Sequence, residues 1–181
     1  MLDDEDFTNV SGIENLVLLG TGVQHIGTIT ALGAEAEAAG IVSIDASAAT
    51  GSVVIHAQNY VTAGLTITSG SFGDDIQGGG GNDTLNSGLG DDQIYAGAGA
   101  DIISGGAGHD YIEGDAGADA MTGGADNDMY AFSAGDVGAG ESITEAAAGG
   151  LDTVRALQSV DFSNMTAASM DEIEYILIAN G

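Results

Sequence analysis

The stretch from Ser69 to Ala131 reads SGSFGDDIQ GGGGNDTLN SGLGDDQIY AGAGADIIS GGAGHDYIE GDAGADAMT GGADNDMYA, seven blocks of nine residues. The sixth place is Asp in every block: Asp74, Asp83, Asp92, Asp101, Asp110, Asp119 and Asp128. The eighth is apolar in every block: Ile76, Leu85, Ile94, Ile103, Ile112, Met121 and Tyr130. Gly holds the second place in Gly70, Gly79, Gly88, Gly97, Gly106 and Gly124, and Asp115 is the exception. Gly holds the fourth place in Gly81, Gly90, Gly99, Gly108 and Gly117, and Phe72 and Asp126 depart. Drift toward a Gly- and Asp-rich composition would not keep Asp in phase seven times with an apolar residue two places later.

The residue types in that order specify a turn and then a strand. Glycines at places two and four accept positive φ, so the backbone turns sharply and aims its carbonyls inward. The Asp adds a carboxylate to those carbonyls. A ring of carboxylate and carbonyl oxygens is the donor set Ca²⁺ prefers, at six to eight ligands, whereas Mg²⁺ demands stricter octahedral geometry. The last three places form a short strand with one apolar side chain inward. Two blocks then make one coil of a parallel β-roll, and a cation sits between the turns of block n and block n+2. The expected ligands are Asp74, Gly79, Gly81, Asp83, Gly88, Gly90, Asp92, Gly97, Gly99, Asp101, Gly106, Gly108, Asp110, Gly117, Asp119, Gly124 and Asp128. Seven blocks leave 7 − 2 = 5 gaps, hence about five Ca²⁺. Phe72 weakens the first gap and Asp126 the last. The fifth place (Gly73, Asn82, Asp91, Ala100, His109, Ala118, Asn127) varies and receives no ligand role.

These blocks resemble the RTX family, the hemolysin-type calcium-binding repeats of proteins exported by Gram-negative bacteria. The signature G-G-x-G-x-D-x-U-x is that family's. The resemblance implies an all-β fold, a Ca-filled right-handed parallel β-roll, and type I secretion to the outside of the cell or its surface.

Composition bounds the rest. Asp and Glu number 28 against a single basic residue, Arg155, for a net charge of −27. That excludes the basic footprint nucleic acid or an anionic membrane requires, and favours metal cations. Without Lys there is no P-loop and no Schiff base; without Cys there is no disulfide, zinc-thiolate site or iron–sulfur cluster. Met1–Asp6 is acidic, unlike a secretory signal, and the longest dense apolar run, Leu16–Leu19, is too short for membrane insertion. His25, His56 and His109 lie outside any H-E-x-x-H, and neither G-x-S-x-G nor G-x-G-x-x-G occurs. No enzyme activity is expected.

The flanks, 1–68 and 132–181, are expected as β-rich segments that stack on the roll at 69–131 like solenoid rungs. Strands are expected at Leu16–Leu19, Gly27–Leu32, Ile41–Asp45, Ser52–Ala57, Leu65–Thr68, Asp152–Leu157 and Ile173–Ala179. A helical turn is expected at Gly33–Gly40 and a short helix at Asn164–Glu172. Asp126, Asp136 and Asp152 are candidates for further Ca²⁺ ligands. The flanks also resemble each other: DFTNVSGIENLVL from Asp6 recurs as DFSNMTAASMDEIEYILI from Asp161. GIENLVLLGTG and GLDTVRAL look like modular RTX adhesins and surface-layer proteins. The expected function is therefore a calcium-folded structural segment of such a secreted or cell-surface protein, with other copies of the module or a surface target as partners. The alternative is a non-catalytic RTX domain of a type I-secreted enzyme or toxin.

Overall fold

The structure, a computed structural model, describes residues 15–17, 28–29, 34–145, 149–165 and 170–178. The first flank carries β1 (Asn15–Val17), β2 (Thr28–Ile29), α1 (Ala34–Ala39), β3 (Ser43–Asp45), β4 (Val54–His56) and β5 (Thr66–Thr68). The nine-residue blocks carry β6 (Asp75–Gly80), β7 (Thr84–Leu89), β8 (Gln93–Gly99), β9 (Ile102–Ala107), β10 (Tyr111–Glu113), β11 (Ala116–Gly117), β12 (Ala120–Ala125) and β13 (Met129–Phe132). The second flank adds β14 (Ser142–Thr144), β15 (Asp152–Ala156), β16 (Met170–Asp171) and β17 (Ile173–Ile178).

Successive strands alternate between two parallel sheets. One runs β1-β3-β5-β7-β9-β12-β14-β16 and the other β17-β15-β13-β10-β8-β6-β4-β2, with β11 beside β8. Within the blocks the register advances by one coil of two blocks: Ile76 pairs with Ile94 and Leu85 with Ile103. The fold is a parallel β-solenoid of the β-roll kind, and both sheets run on through Ser69 and Ala131 into the flanks. A strand of period two with one inward apolar residue packs only if its neighbours present theirs at the same height. The eighth-place residues do so. Ile55, Ile76, Ile94, Ile112, Tyr130 and Val154 stack as one column, and Ile44, Ile67, Leu85, Ile103, Met121 and Ile143 as the facing one; all are at most 1% exposed.

Flank coils are longer: Ser43 pairs with Thr66, and Met129 with Thr153. Side-chain contacts brace the first flank. Glu37 of α1 accepts hydrogen bonds from the amides of Thr62 (3.0 Å) and Ala63 (2.9 Å), and buried Tyr60 donates its hydroxyl proton to the Ile41 carbonyl. The flank strands fall where expected, at β1–β5, β15 and β17; residues 18–19, 27, 30–32 and 179 of the expected runs lie outside the described residues.

One local expectation is corrected. The helix expected at Asn164–Glu172 is absent from the described ends of that span: a 3-10 turn occupies Phe162–Asn164, started by Asp161, whose side chain accepts the Ser163 amide, and Met170–Asp171 is a strand. Residues 166–169 lie outside the described residues. Met170 pairs with Ile143 and Asp171 with Thr144, so at these two residues sheet pairing overrides helix propensity.

Candidate metal centres

The turns between the two sheets place the sixth-place aspartates in two files, one along each edge of the roll. All seven are buried, at most 4% exposed. Each carboxylate is held by a backbone amide of the coil before it. On one edge the Asp92 Oδ1 accepts the Asp74 amide (2.7 Å), Asp110 that of Asp92 (2.9 Å) and Asp128 that of Asp110 (2.9 Å). On the other edge Asp101 accepts from Asp83 (2.7 Å) and Asp119 from Asp101 (2.9 Å). Asp74 and Asp83 accept from Val53 and Leu65 of the first flank.

The second carboxylate oxygen is the informative one. In Asp83, Asp92, Asp101, Asp110, Asp119 and Asp128 the buried Oδ2 has no hydrogen-bond partner. It lies over the first place of its own block. A Cβ on Gly78, Gly105, Gly114 or Gly123 would sit 2.2–2.6 Å from the Oδ2 of Asp83, Asp110, Asp119 or Asp128. Only Gly, Ser or Ala occupies that place: Ser69, Gly78, Ser87, Ala96, Gly105, Gly114, Gly123. The first block is the exception in bonding, because Asp74 Oδ2 accepts from the Ser69 hydroxyl and from the Gly70 amide (3.2 Å).

The turn glycines set the backbone of each turn. Gly79, Gly88, Gly97, Gly106 and Gly124, at place two, have φ between 101° and 125°, and Gly81, Gly90, Gly99 and Gly108, at place four, have φ between 89° and 147°. Stacked turns touch backbone to backbone: a Cβ on Gly106 would meet the Gly88 carbonyl oxygen at 1.9 Å. Gly117 takes no left-handed φ, yet a Cβ there would lie 1.5 Å from the Gly99 carbonyl oxygen. Asp115 (φ 61°) and Asp126 (φ 76°) adopt the left-handed conformation in place of glycine, so Asp126 keeps the turn its block requires. Glu145 further fixes the last turn by accepting from the amides of Gly123 (2.7 Å) and Gly124 (3.0 Å).

Burial is the leading cause of a raised proton affinity along both files. It pushes Asp83 and Asp92 up to about 7, Asp119 to about 6 and Asp128 to about 8, and Asp101 and Asp110 also rise. A buried carboxylate with a free oxygen needs a proton or a cation. Among the described residues no three His, Asp or Glu side chains converge on a point. A cation would therefore be shared between one carboxylate per turn and backbone carbonyls. Such an all-oxygen set fits Ca²⁺ and suits zinc or copper poorly. When bound, Ca²⁺ would supply the positive charge these desolvated carboxylates face.

Three parts of the site escaped the sequence reading. The small first place was hidden in the general abundance of Gly and Ala. The fifth place has a structural role: Asn82 Oδ1 accepts the Ala100 amide, Asp91 Oδ1 that of His109, His109 Nδ1 that of Asn127, and Asn127 Oδ1 that of Leu151, at 2.8–3.0 Å. The carboxylate files also continue into the second flank. Asp152 Oδ1 accepts from Asp128 (2.9 Å), Glu174 from Asp152 (2.6 Å), and Glu141 from Asp119 (3.4 Å). Burial lifts Glu141 to about 8. The signal was an acidic residue two places before a strand's apolar residue, as in Glu141–Ile143, Asp152–Val154 and Glu174–Ile176. Of the further ligand candidates, Asp152 thus lies in a file, whereas the Asp136 carboxylate accepts the Ser133 amide in a turn. His56 Nε2 lies 3.2 Å from Asp75 on an outer sheet face.

Comparison with known families supplies the remaining observation. The family described as the RTX calcium-binding nonapeptide repeat matches residues 68–103 and 95–130. The chain carries RTX repeats. This part of it is a calcium-binding structural repeat domain, and Asp74 to Asp128 of the two files lie within the matched residues. Comparison with curated proteins and with solved structures finds no match. Among the described residues no helix is long and apolar enough to cross a membrane.

Proposed function

We propose that this chain is a non-catalytic, calcium-folded structural segment of a secreted or cell-surface bacterial RTX protein of the adhesin or surface-layer type, holding about five Ca²⁺. The observation that carries the calcium role is the row of six buried Oδ2 atoms with no hydrogen-bond partner. Repeat blocks with one apolar residue at the eighth place of nine, in a chain with no Cys and a net charge of −27, have little else to hold them together. Ca²⁺ that binds the folded form and not the unfolded one stabilises the fold by its own binding free energy. Extracellular calcium modules bind at roughly 10⁻⁴–10⁻³ M. Such a roll stays unfolded where Ca²⁺ is scarce and folds after export. The adhesive or surface-layer role rests on the recurrence of the Asp6 motif at Asp161, which suits a modular array.

Native mass spectrometry in millimolar Ca²⁺ tests the reading. Five ions per chain are expected. Three or four would mean that the outer gaps bind weakly, and zero or one would refute it.

A further inference from the structure

Each repeat carboxylate hangs from an amide of the coil before it, so its second oxygen faces the gap between those two coils. The unpartnered Oδ2 atoms of Asp92, Asp101, Asp110, Asp119 and Asp128 thus serve the five gaps between repeat turns, one each. Among the described residues of the two files, two more such oxygens lie outside those gaps: Asp83 Oδ2 at the start of one file and Glu141 Oε1 further along it. Across its gap Asp83 meets the amide of Leu65, a residue that brings no carboxylate. Glu141 meets Asp119, which does.

The Glu141 turn copies a repeat turn with one residue added. Gly114–Thr122 reads GDAGADAMT and Gly135–Thr144 reads GDVGAGESIT, with Gly140 as the extra residue. Glu141 then stands where Asp119 does, and Ile143, paired with Met121, holds the inward apolar place. The two turns stack backbone to backbone as repeat turns do: Gly117 bridges Val137, and a Cβ on Gly138 would run into the Gly117 carbonyl oxygen. Glu141 is 2% exposed. Its Oε2 accepts the Asp119 amide at 3.4 Å, which holds the carboxylate in the gap, and its Oε1 is buried there without a partner. Asp115 and Asp136, at the same place of the two turns, lie close enough to act on Asp119 electrostatically, as does Asp101.

We propose that a further Ca²⁺ binds in this gap, between Asp119 and Glu141, outside the nine-residue repeats. The site rests on the calcium reading of the repeats and extends it: the metal-binding edge runs on past residue 130, where the family match ends. Two carboxylates, one per turn, and the carbonyls of the stacked turns make an all-oxygen donor set of the kind Ca²⁺ prefers. The longer Glu side chain and the added glycine loosen it: the bond to the Asp119 amide is 3.4 Å, against 2.7 Å from Asp74 to Asp92 and 2.9 Å from Asp110 to Asp128. This ion is therefore additional to the five of the repeats and fills after them. Its binding fastens the turn 135–141 of the second flank onto the roll.

Equilibrium dialysis against radioactive Ca²⁺ counts the ions, and hydrogen exchange places them. At saturation Glu141→Gln should hold one ion fewer than the unmodified chain. The Ca²⁺-dependent protection of residues 69–131 should be unchanged in it and that of 135–141 lost. Glutamine keeps a carbonyl acceptor for the Asp119 amide and removes the charge, and circular dichroism in Ca²⁺ checks that the variant folds. In the unmodified chain the amides of 135–141 should gain protection only when Ca²⁺ is raised about tenfold above the level that protects the repeats, the spread found among extracellular calcium modules. Equal ion counts in the two folded proteins would overturn the site and leave the Glu141 oxygen to a proton. Protection of 135–141 that is complete once the repeats are filled would overturn it too, whatever the variant does. Zero or one ion in the unmodified chain would instead refute the calcium reading itself, and the site with it.

Discussion

Replacing Asp101 separates two contributions that the structure superimposes on one side chain. Its Oδ1 accepts the amide of Asp83, a residue 1% exposed, at 2.7 Å, and its Oδ2 is buried without a partner. Asp101→Asn keeps a carbonyl acceptor for the Asp83 amide and removes the charge. Asp101→Ala removes both, and an orphaned buried amide costs about 1–3 kcal/mol. A site held at 100 times its Kd contributes about 2.7 kcal/mol. Asp101 stands between Asp83 and Asp119 in its file, so the gaps on both sides weaken, with an upper bound of about 5 kcal/mol for Asp101→Asn. Asp101→Ala should lose a further ~1–3 kcal/mol. Asp74→Ala is the contrast: both its oxygens already have protein partners, in Val53, Ser69 and Gly70. It should lose the hydrogen-bond contribution with little change in calcium dependence. The assay is the Ca²⁺ midpoint of folding by far-UV circular dichroism for the three variants. A wild-type midpoint for Asp101→Asn, or equal shifts for Asp101→Asn and Asp74→Ala, would refute the assignment of the free oxygen to the cation.

Two further outcomes follow from the same geometry. Gly106→Ala, whose Cβ would meet the Gly88 carbonyl at 1.9 Å with φ 113°, should destabilise the calcium-bound roll by about 2–5 kcal/mol; Gly135→Ala, with φ 101° and nothing within 4 Å, should cost only about 1–2 kcal/mol in urea titration. Acidification in EDTA should favour the fold. The ordinary Asp value is 3.8 and the folded values of Asp83, Asp92 and Asp128 rise to about 7–8, so the folded form binds the extra protons. The resulting stability is present below about pH 4 and is lost as pH rises toward 8. Under saturating Ca²⁺ the carboxylates stay ionised in the folded form, so the trend reverses where the unfolded chain begins to take up protons: stability in Ca²⁺ should be level from about pH 8 to 6 and fall as pH drops through about 4.

The roll was legible because nine residues repeat without slippage: Ile76 and Ile94, one coil apart, are a register pair before any coordinates exist. The flanks kept the chemistry and lost the phase. Glu141 follows Asp119 by 22 residues and Asp152 follows Asp128 by 24, so a search for Asp every eighteen residues misses both, although their carboxylates do what the block aspartates do. Hydrogen-bonding roles in the fifth place were invisible because Asn, Asp and His share only an acceptor atom, not a shape. The end of the helix expected at Asn164–Glu172 is a strand instead, because Met170 pairs with Ile143, a contact 27 residues away that local propensity does not contain.

The central claim is that calcium, held by the two files of buried aspartates, folds this chain. Far-UV circular dichroism of metal-stripped protein at pH 8, titrated with Ca²⁺, tests it most directly. The β signal should appear cooperatively, vanish on addition of EDTA, and appear far more weakly with Mg²⁺ at equal concentration. A full β spectrum in the stripped protein, unchanged by Ca²⁺ or EDTA, would contradict it.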